Sequence, residues 1–244
     1  MISVVIPAKD EQANIGPLMR EICQALKGLT DFEILVVDDG SQDDTFGEVM
    51  RVAAEQQCDA NAIRHQSSTG QSTAISTGVQ HARGQYIVTL DADGQNDPAD
   101  IPAMFALLPT ISAPHFCIAG YRKNRKDTAW KRFQSRFANK VRDAMLNDGV
   151  PDTGCGLKLF PRETFLRLPY FDHMHRYIPA LVRRMGGEIL ISEVNHRDRQ
   201  EGVSKYTAWN RVWVGIVDIF GVMWLGRRAK IANVARNETS WSDK

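Results

Sequence analysis

Short β-branched apolar runs alternate with segments of helical period along the first half of the chain, and this alternation limits the fold more than any other feature. Ile2 to Ile6 is strand-like. Ile15, Leu18, Met19, Ile22 and Leu26 then recur at helical spacing, Phe32 to Val37 is again strand-like, and Phe46 to Ala54 forms a helix that Asp43 or Asp44 can cap. Ala74 to Ala82 is helical and Tyr86 to Leu90 is a further strand. Strands alternating with helices build βαβ units and a largely parallel sheet. Such sheets bind ligands beyond the carboxyl ends of their strands. Chemistry is therefore expected on two loops, Asp38-Asp39-Gly40-Ser41 and Asp91-Ala92-Asp93-Gly94-Gln95. After Pro98 the pattern predicts strands at Phe116–Ala119, Leu157–Phe160 and Glu188–Val194, with helices at Thr128–Leu146 and near Tyr177–Met185. One α/β domain over residues 1–206 is expected, followed by a helical extension and tail over 207–244.

The charge balance narrows the partners. Thirty basic and 29 acidic residues leave a net charge of +1, without the basic excess of a dedicated nucleic-acid binder. Two local imbalances stand out. Asp31 to Asp44 holds six acidic residues and no basic one, which suits a cation; Gly120 to Arg142 holds nine basic residues, which suits an anion. Cys23, Cys58, Cys117 and Cys155 form no C-x-x-C pair, so zinc and thioredoxin-type sites fail on spacing, and isolated thiols fit a reducing compartment. MISVVIPAKDE lacks a basic lead and is stopped by Pro7, unlike a signal peptide. No uncharged apolar stretch reaches the length of a transmembrane helix.

Asp91-Ala92-Asp93 follows a buried strand directly. Two carboxylates one residue apart cannot both point into a strand's core, but on a loop they can converge on one divalent cation. Mg2+ or Mn2+ takes one or two carboxylates and fills its shell with diphosphate oxygens and water. The plainer alternative is a turn and a cap, with Asp97-Pro98 starting the next helix. In Asp38-Asp39-Gly40-Ser41, a strand-end carboxylate can accept from ribose hydroxyls or a base N–H, while Gly40 and Ser41 also fit a turn with a helix cap. Gly70-Gln71-Ser72-Thr73-Ala74, followed by Gly78, Ala82 and Gly84, lets backbone approach backbone or a phosphate. The pattern has neither G-x-G-x-x-G nor a P-loop lysine, so nicotinamide binding and P-loop hydrolysis are poorly supported.

Together VVIPAKDEQANI, EILVVDDGSQDDT, the Gly70–Gly84 segment and TLDADGQNDP resemble family 2 glycosyltransferases of the GT-A fold, in particular the dolichol-phosphate mannose synthase branch. The resemblance implies a Rossmann-like, mostly parallel mixed sheet flanked by helices, with an amphipathic, interfacial C-terminal extension. It also implies transfer of a sugar from a GDP- or UDP-linked donor to a polyprenyl phosphate. On the matching positions, Pro7, Ala8, Glu11, Asp39, Asp91, Ala92, Asp93 and Gln95 hold the nucleotide sugar, and Asp91, Asp93 and Gln95 hold Mg2+ or Mn2+. Lys9-Asp10-Glu11 replaces the usual Tyr-Asn-Glu, and Gly94 stands where leucine is frequent.

The likeness continues through GYR at Gly120–Arg122, VPDTGCGLKLFPR and HRDRQEGVSKY. It implies that Arg122, Arg136, Arg199 and Lys205 bind anions, since guanidinium forks and ammonium groups suit phosphate oxygens; because a metal already serves the donor diphosphate, Arg122 and Arg199 are expected to face the donor and Arg136 and Lys205 to hold the acceptor phosphate. Trp130, Phe133, Phe137 and Val141 form one stripe of a basic amphipathic helix, and Val212 to Leu225 is apolar with tryptophan and arginine flanks. Each reads either as an interfacial helix or as a helix packed on the domain. The expected location is the cytoplasmic face of a membrane, peripherally attached. A second copy of the chain or a separate anchoring subunit is compatible with this.

The expected reaction is inverting: a phosphomonoester is largely ionised at neutral pH and needs no strong base. The metal, with Asp93 among its ligands, and Arg122 or Arg199 would then neutralise the departing diphosphate. Two alternatives stay open. A family 2 enzyme with a saccharide or other soluble acceptor would need a base, with Asp152 or Asp198 as candidates. A membrane-associated protein could also bind nucleotide sugar without catalysis.

Overall fold

The computed structural model describes residues 1–122, 142–197 and 208–230, with side chains from 215 onward in the last stretch. Seven strands form one sheet: β1 (Ile2–Ala8), β2 (Phe32–Asp38), β3 (Ala60–Arg64), β4 (Tyr86–Thr89), β5 (Phe116–Arg122), β6 (Lys158–Pro161) and β7 (Glu188–Val194), in the order β3-β2-β1-β4-β6-β5-β7. All neighbours are parallel except β6, which runs antiparallel to both β4 and β5. The expected mixed, mostly parallel sheet is present.

The helices are α1 (Gln12–Leu26), α2 (Thr45–Gln56), α3 (Gln71–His81), α4 (Ile101–Phe105), α5 (142–146), α6 (Arg162–Leu166), α7 (Ile178–Arg184) and α8 (Ala208–Arg228). Of the helix expected at Thr128–Leu146, only α5 falls within the described residues. The strands are covered on both faces, so their two side-chain sets enter two cores. Val4, Ile6, Ile34, Val36 and Val88 pack with Ile15, Met19 and Ile22 of α1 and with Val49 and Val52 of α2. Val5, Leu35, Ile87 and Phe160 pack with Ile75 and Val79 of α3, Leu181 and Val182 of α7, and Val222 of α8. Gly78 is explained by packing alone, because a Cβ there would run into the Val5 side chain.

Three sequence expectations change. β3 is an additional strand, at the sheet's edge and half-exposed, so it lacks the apolar run that marks the others. The acidic stretch does not present a free cation site at its far end. Asp43 accepts from the Gln12 and Thr45 amides at 3.1 Å each, and Asp44 caps α2 by accepting from the Gly47 amide at 3.2 Å. The cysteines are not all isolated: Cys23 on α1 lies beside Cys58, and burial first, with Cys58 second, pushes the Cys23 thiol up to about 12. All four remain free thiols. No helix among the described residues is long and apolar enough to cross a membrane.

Candidate active site

The carboxyl ends of β1, β2 and β4 meet at one edge. Pro7 and Ala8 close β1, and the Ala8 carbonyl accepts from the Asp39 amide at 2.8 Å. Beyond them, Glu11 receives the Asn14 side-chain amide at 2.7 Å and gives its own amide to Thr45 Oγ1 at 2.9 Å. The loops after β1 and β2 are thus stitched together before any ligand arrives.

Asp39 accepts hydrogen bonds from the loop that enters α3. Its Oδ1 accepts from the Thr69 amide at 2.8 Å, Thr69 Oγ1 at 3.0 Å and His65 Nδ1 at 2.8 Å; its Oδ2 accepts from Ser68 Oγ at 2.8 Å and the Gly70 amide at 2.9 Å. Burial works against this charge, but the Thr69 amide, His65, Ser68 and the Gly70 amide outweigh it and hold the carboxyl well below the usual range. Asp39 therefore organises the loop that enters α3. Its oxygens are filled by its own chain, and a nucleoside would have to displace one of these donors.

The Asp91-Ala92-Asp93 loop leaves β4 beside this frame. Ala92 turns into the core, at 4% exposure, which leaves the two carboxylates on the loop as the spacing predicts. Gly94 has φ 72°, the left-handed turn that lets the Gln95 amide reach Asp93 Oδ1 at 3.1 Å. Asp91 Oδ1 accepts from Gln71 Nε2 at 2.8 Å. Burial first, and Asp93 second, push the Asp91 carboxyl up, while Lys158, Arg122 and the Gln71 bond pull it down. A Cβ at Gly156 would collide with the Asp91 carboxylate, so the 154–158 segment can lie against this loop only with glycine there. Thr89 Oγ1 pins that segment by donating to the Gly156 carbonyl at 2.7 Å.

The cations around this loop come from the other half of the sheet. Lys158, buried at the start of β6, donates to the Cys155 carbonyl. Arg122, at the end of β5, sends Nε and Nη2 to Asp152 Oδ2 and Oδ1 at 2.6 and 2.9 Å. Gln71, Lys158 and Gly156 were missed as site residues. Gln71 stands in the glycine-led 70–74 segment and Gly156 in the VPDTGCGLKLFPR stretch, while Lys158 is marked as a lysine within the apolar run Leu157–Phe160. Arg136, Arg199 and Lys205 lie outside the described residues.

Two neighbouring carboxylates beside a glutamine, with the Asp91 carboxyl pushed up by burial and then by the Asp93 charge, fit a divalent cation. Among the described residues no group of three or more His, Cys, Asp or Glu could hold an ion alone. The donor set therefore suits an ion that completes its shell with diphosphate oxygens and water.

The family model for Glycosyl transferase family 2 matches residues 3–168. The chain belongs to that family. Among curated family 2 relatives, dodecaprenyl-phosphate galacturonate synthase of Rhizobium johnstonii is 33% identical over 230 residues, covering 93% of this chain and 67% of its own. Undecaprenyl-phosphate 4-deoxy-4-formamido-L-arabinose transferase of Pseudomonas paraeruginosa is 33% identical over 210 residues, covering 85% and 61%. The chain thus spans about two thirds or less of the length of the curated relatives it matches. Among solved structures, glucosyl-3-phosphoglycerate synthase of Mycobacterium tuberculosis in complex with Mg2+ and uridine diphosphate superposes with a TM-score of 0.70 at 18% identity, covering 96% of this chain and 80% of that one. A complex of the same protein with Mn2+, uridine diphosphate and product gives 0.67 at 19% identity, covering 96% and 81%. At such identity these neighbours speak for the GT-A fold alone.

Proposed function

We propose that this chain transfers a sugar, with inversion, from a GDP- or UDP-linked donor to a polyprenyl phosphate. The carrying observation is the pair Asp91 and Asp93, set on a loop that Gln71 and Gly156 hold in place, with Lys158 and Arg122 nearby. The curated relatives, named for polyprenyl-phosphate acceptors, support the acceptor class. The solved neighbours, bound to Mn2+ or Mg2+ with uridine diphosphate, support the donor and the metal.

Asp91, Asp93 and Gln95 would hold Mg2+ or Mn2+, which when bound neutralises diphosphate charge. Pro7, Ala8, Glu11, Ala92 and the loop braced by Asp39 would shape the nucleotide pocket. Arg122 keeps Nη1 outside its pair with Asp152 and can turn it to the donor diphosphate, a role Arg199 would share. Arg136 and Lys205 would take the acceptor phosphate. Asp152 already accepts two guanidinium N–H bonds, which makes it a poor general base and favours an acceptor that arrives ionised. Residues 1–206 would form the transferase domain and 207–244 an extension that meets the membrane's cytoplasmic face.

The deciding experiment incubates the chain with labelled nucleotide sugars and polyprenyl phosphate and follows label into the organic phase. Transfer should vanish with EDTA, return with Mg2+ or Mn2+, and be abolished in Asp93→Asn. Full activity in metal-free buffer would overturn the metal assignment, and label entering only water-soluble products would overturn the acceptor.

A further inference from the structure

The end of α8 borders a cleft that the transfer site does not use. It encloses about 300 Å3 and is lined by Met145 and Leu146 of α5, Arg183 and Arg184 of α7, and Met223 and Arg227 of α8. None of the residues assigned above to donor, metal or acceptor lines it. α7 leads through Gly186 and Gly187 into the start of β7, so its arginines lie toward the sheet edge opposite the carboxylate loop.

The chemistry of the lining is specific. Among the described residues, none of the three arginines forms an ion pair, and Arg184 gives only Nε to the Leu225 carbonyl at 2.9 Å. Three guanidinium groups gathered with no carboxylate among the described lining residues repel one another and favour an anion. The methionine and leucine walls favour an apolar body attached to it. Next to the cleft, α8 turns Ile216, Val217, Phe220 and Trp224 to solvent, with Trp224 58% exposed, while Val222 is buried on the domain. Arg228 lies 5.9 Å over the Trp224 ring, a pairing suited to the boundary between headgroups and acyl chains. A second copy of the chain meeting this face would bring the same cations and not their counter-charge.

We propose that this cleft binds the phosphate headgroup of an anionic phospholipid and seats the apolar face of α8 on an anionic bilayer. The inference deepens the membrane-attached reading of the extension, but it concerns a site separate from the lipid acceptor's.

The test uses the full chain and vesicles of phosphatidylcholine with or without phosphatidylglycerol. Sedimentation should show binding only with phosphatidylglycerol. Removing two charged hydrogen bonds in Arg183→Gln/Arg227→Gln should weaken it by about 100-fold or more, while Arg228→Gln, outside the cleft, weakens it by a few-fold. Thermal melts confirm that the variants fold. Equal losses in the two variants would mean diffuse surface charge and overturn the site. Binding that ignores phosphatidylglycerol would also overturn it, as would inorganic phosphate that saturates the cleft without being displaced by vesicles. Self-association through α8 without vesicle binding would assign the face to a second copy. Sugar transfer to detergent-dispersed polyprenyl phosphate is measured in parallel and should persist in the double variant. Its loss there would assign the arginines to catalysis, whereas its absence from the parent chain would overturn the proposed function and leave the vesicle result standing.

Discussion

Gly156→Ala tests the site without altering any chemical group in it. The alanine Cβ would lie 2.7 Å from Asp91 Oδ1 and closer still to Cγ and Oδ2. Relief of the closest of these to an ordinary C···O contact of about 3.3 Å needs a shift of about 1 Å. Neither side can yield freely. Asp91 is held by Gln71 at 2.8 Å, and the Gly156 carbonyl is held by Thr89 at 2.7 Å. Overpacking of this kind costs about 1–3 kcal/mol of stability. If the carboxylate moves by about 1 Å, transfer should fall about 10²-fold, equivalent to about 2.7 kcal/mol of barrier. Initial rates with each substrate varied, together with a denaturant melt, separate the two effects. A folded Gly156→Ala protein transferring within twofold of the parent would show that Asp91 is not positioned by this contact, and the site geometry argued above would fail.

Three further outcomes are expected. Asp39 is held below the unfolded aspartate value of about 3.9, so its stabilisation is full above that pH and is lost as pH falls through the folded value; urea melts should show this acid loss in the parent and a smaller one in Asp39→Asn, itself about 2–4 kcal/mol less stable at neutral pH. Asp152→Ala leaves the largely buried Arg122 without its bidentate partner and should cost about 3–5 kcal/mol in the same assay. Cys23, its thiol raised by burial and by Cys58, should resist iodoacetamide near neutral pH in the folded protein and react on unfolding, as read by mass spectrometry; fast labelling of Cys23 in the folded state would contradict the contact.

Much of the fold was legible because its cause is local. The strand runs at Ile2–Ile6 and Phe32–Val37 and the helical spacing of Ile15 to Leu26 announce themselves in any window, and a parallel sheet places its ligand loops at strand ends. The Asp91-Ala92-Asp93 loop was found for that reason. The antiparallel course of β6 was not, since direction depends on the partners a strand meets. The exposed edge strand β3 gives little periodic signal.

The use of each charged group is settled by packing. By itself the sequence established the alternating α/β pattern, the two acidic loops and the basic segments. Tertiary packing committed Asp39 to the Ser68–Gly70 loop, paired Arg122 with Asp152 from 30 residues away and set Gly156 against Asp91. It also brought Cys23 to Cys58 and gathered the arginines of the α7–α8 cleft with no carboxylate partner among the described residues. The physical reason is the range of the interactions. Backbone periodicity depends on neighbours a few residues apart, whereas a side chain's hydrogen bonds, burial and charge depend on whatever the closed sheet carries to within a few ångströms of it.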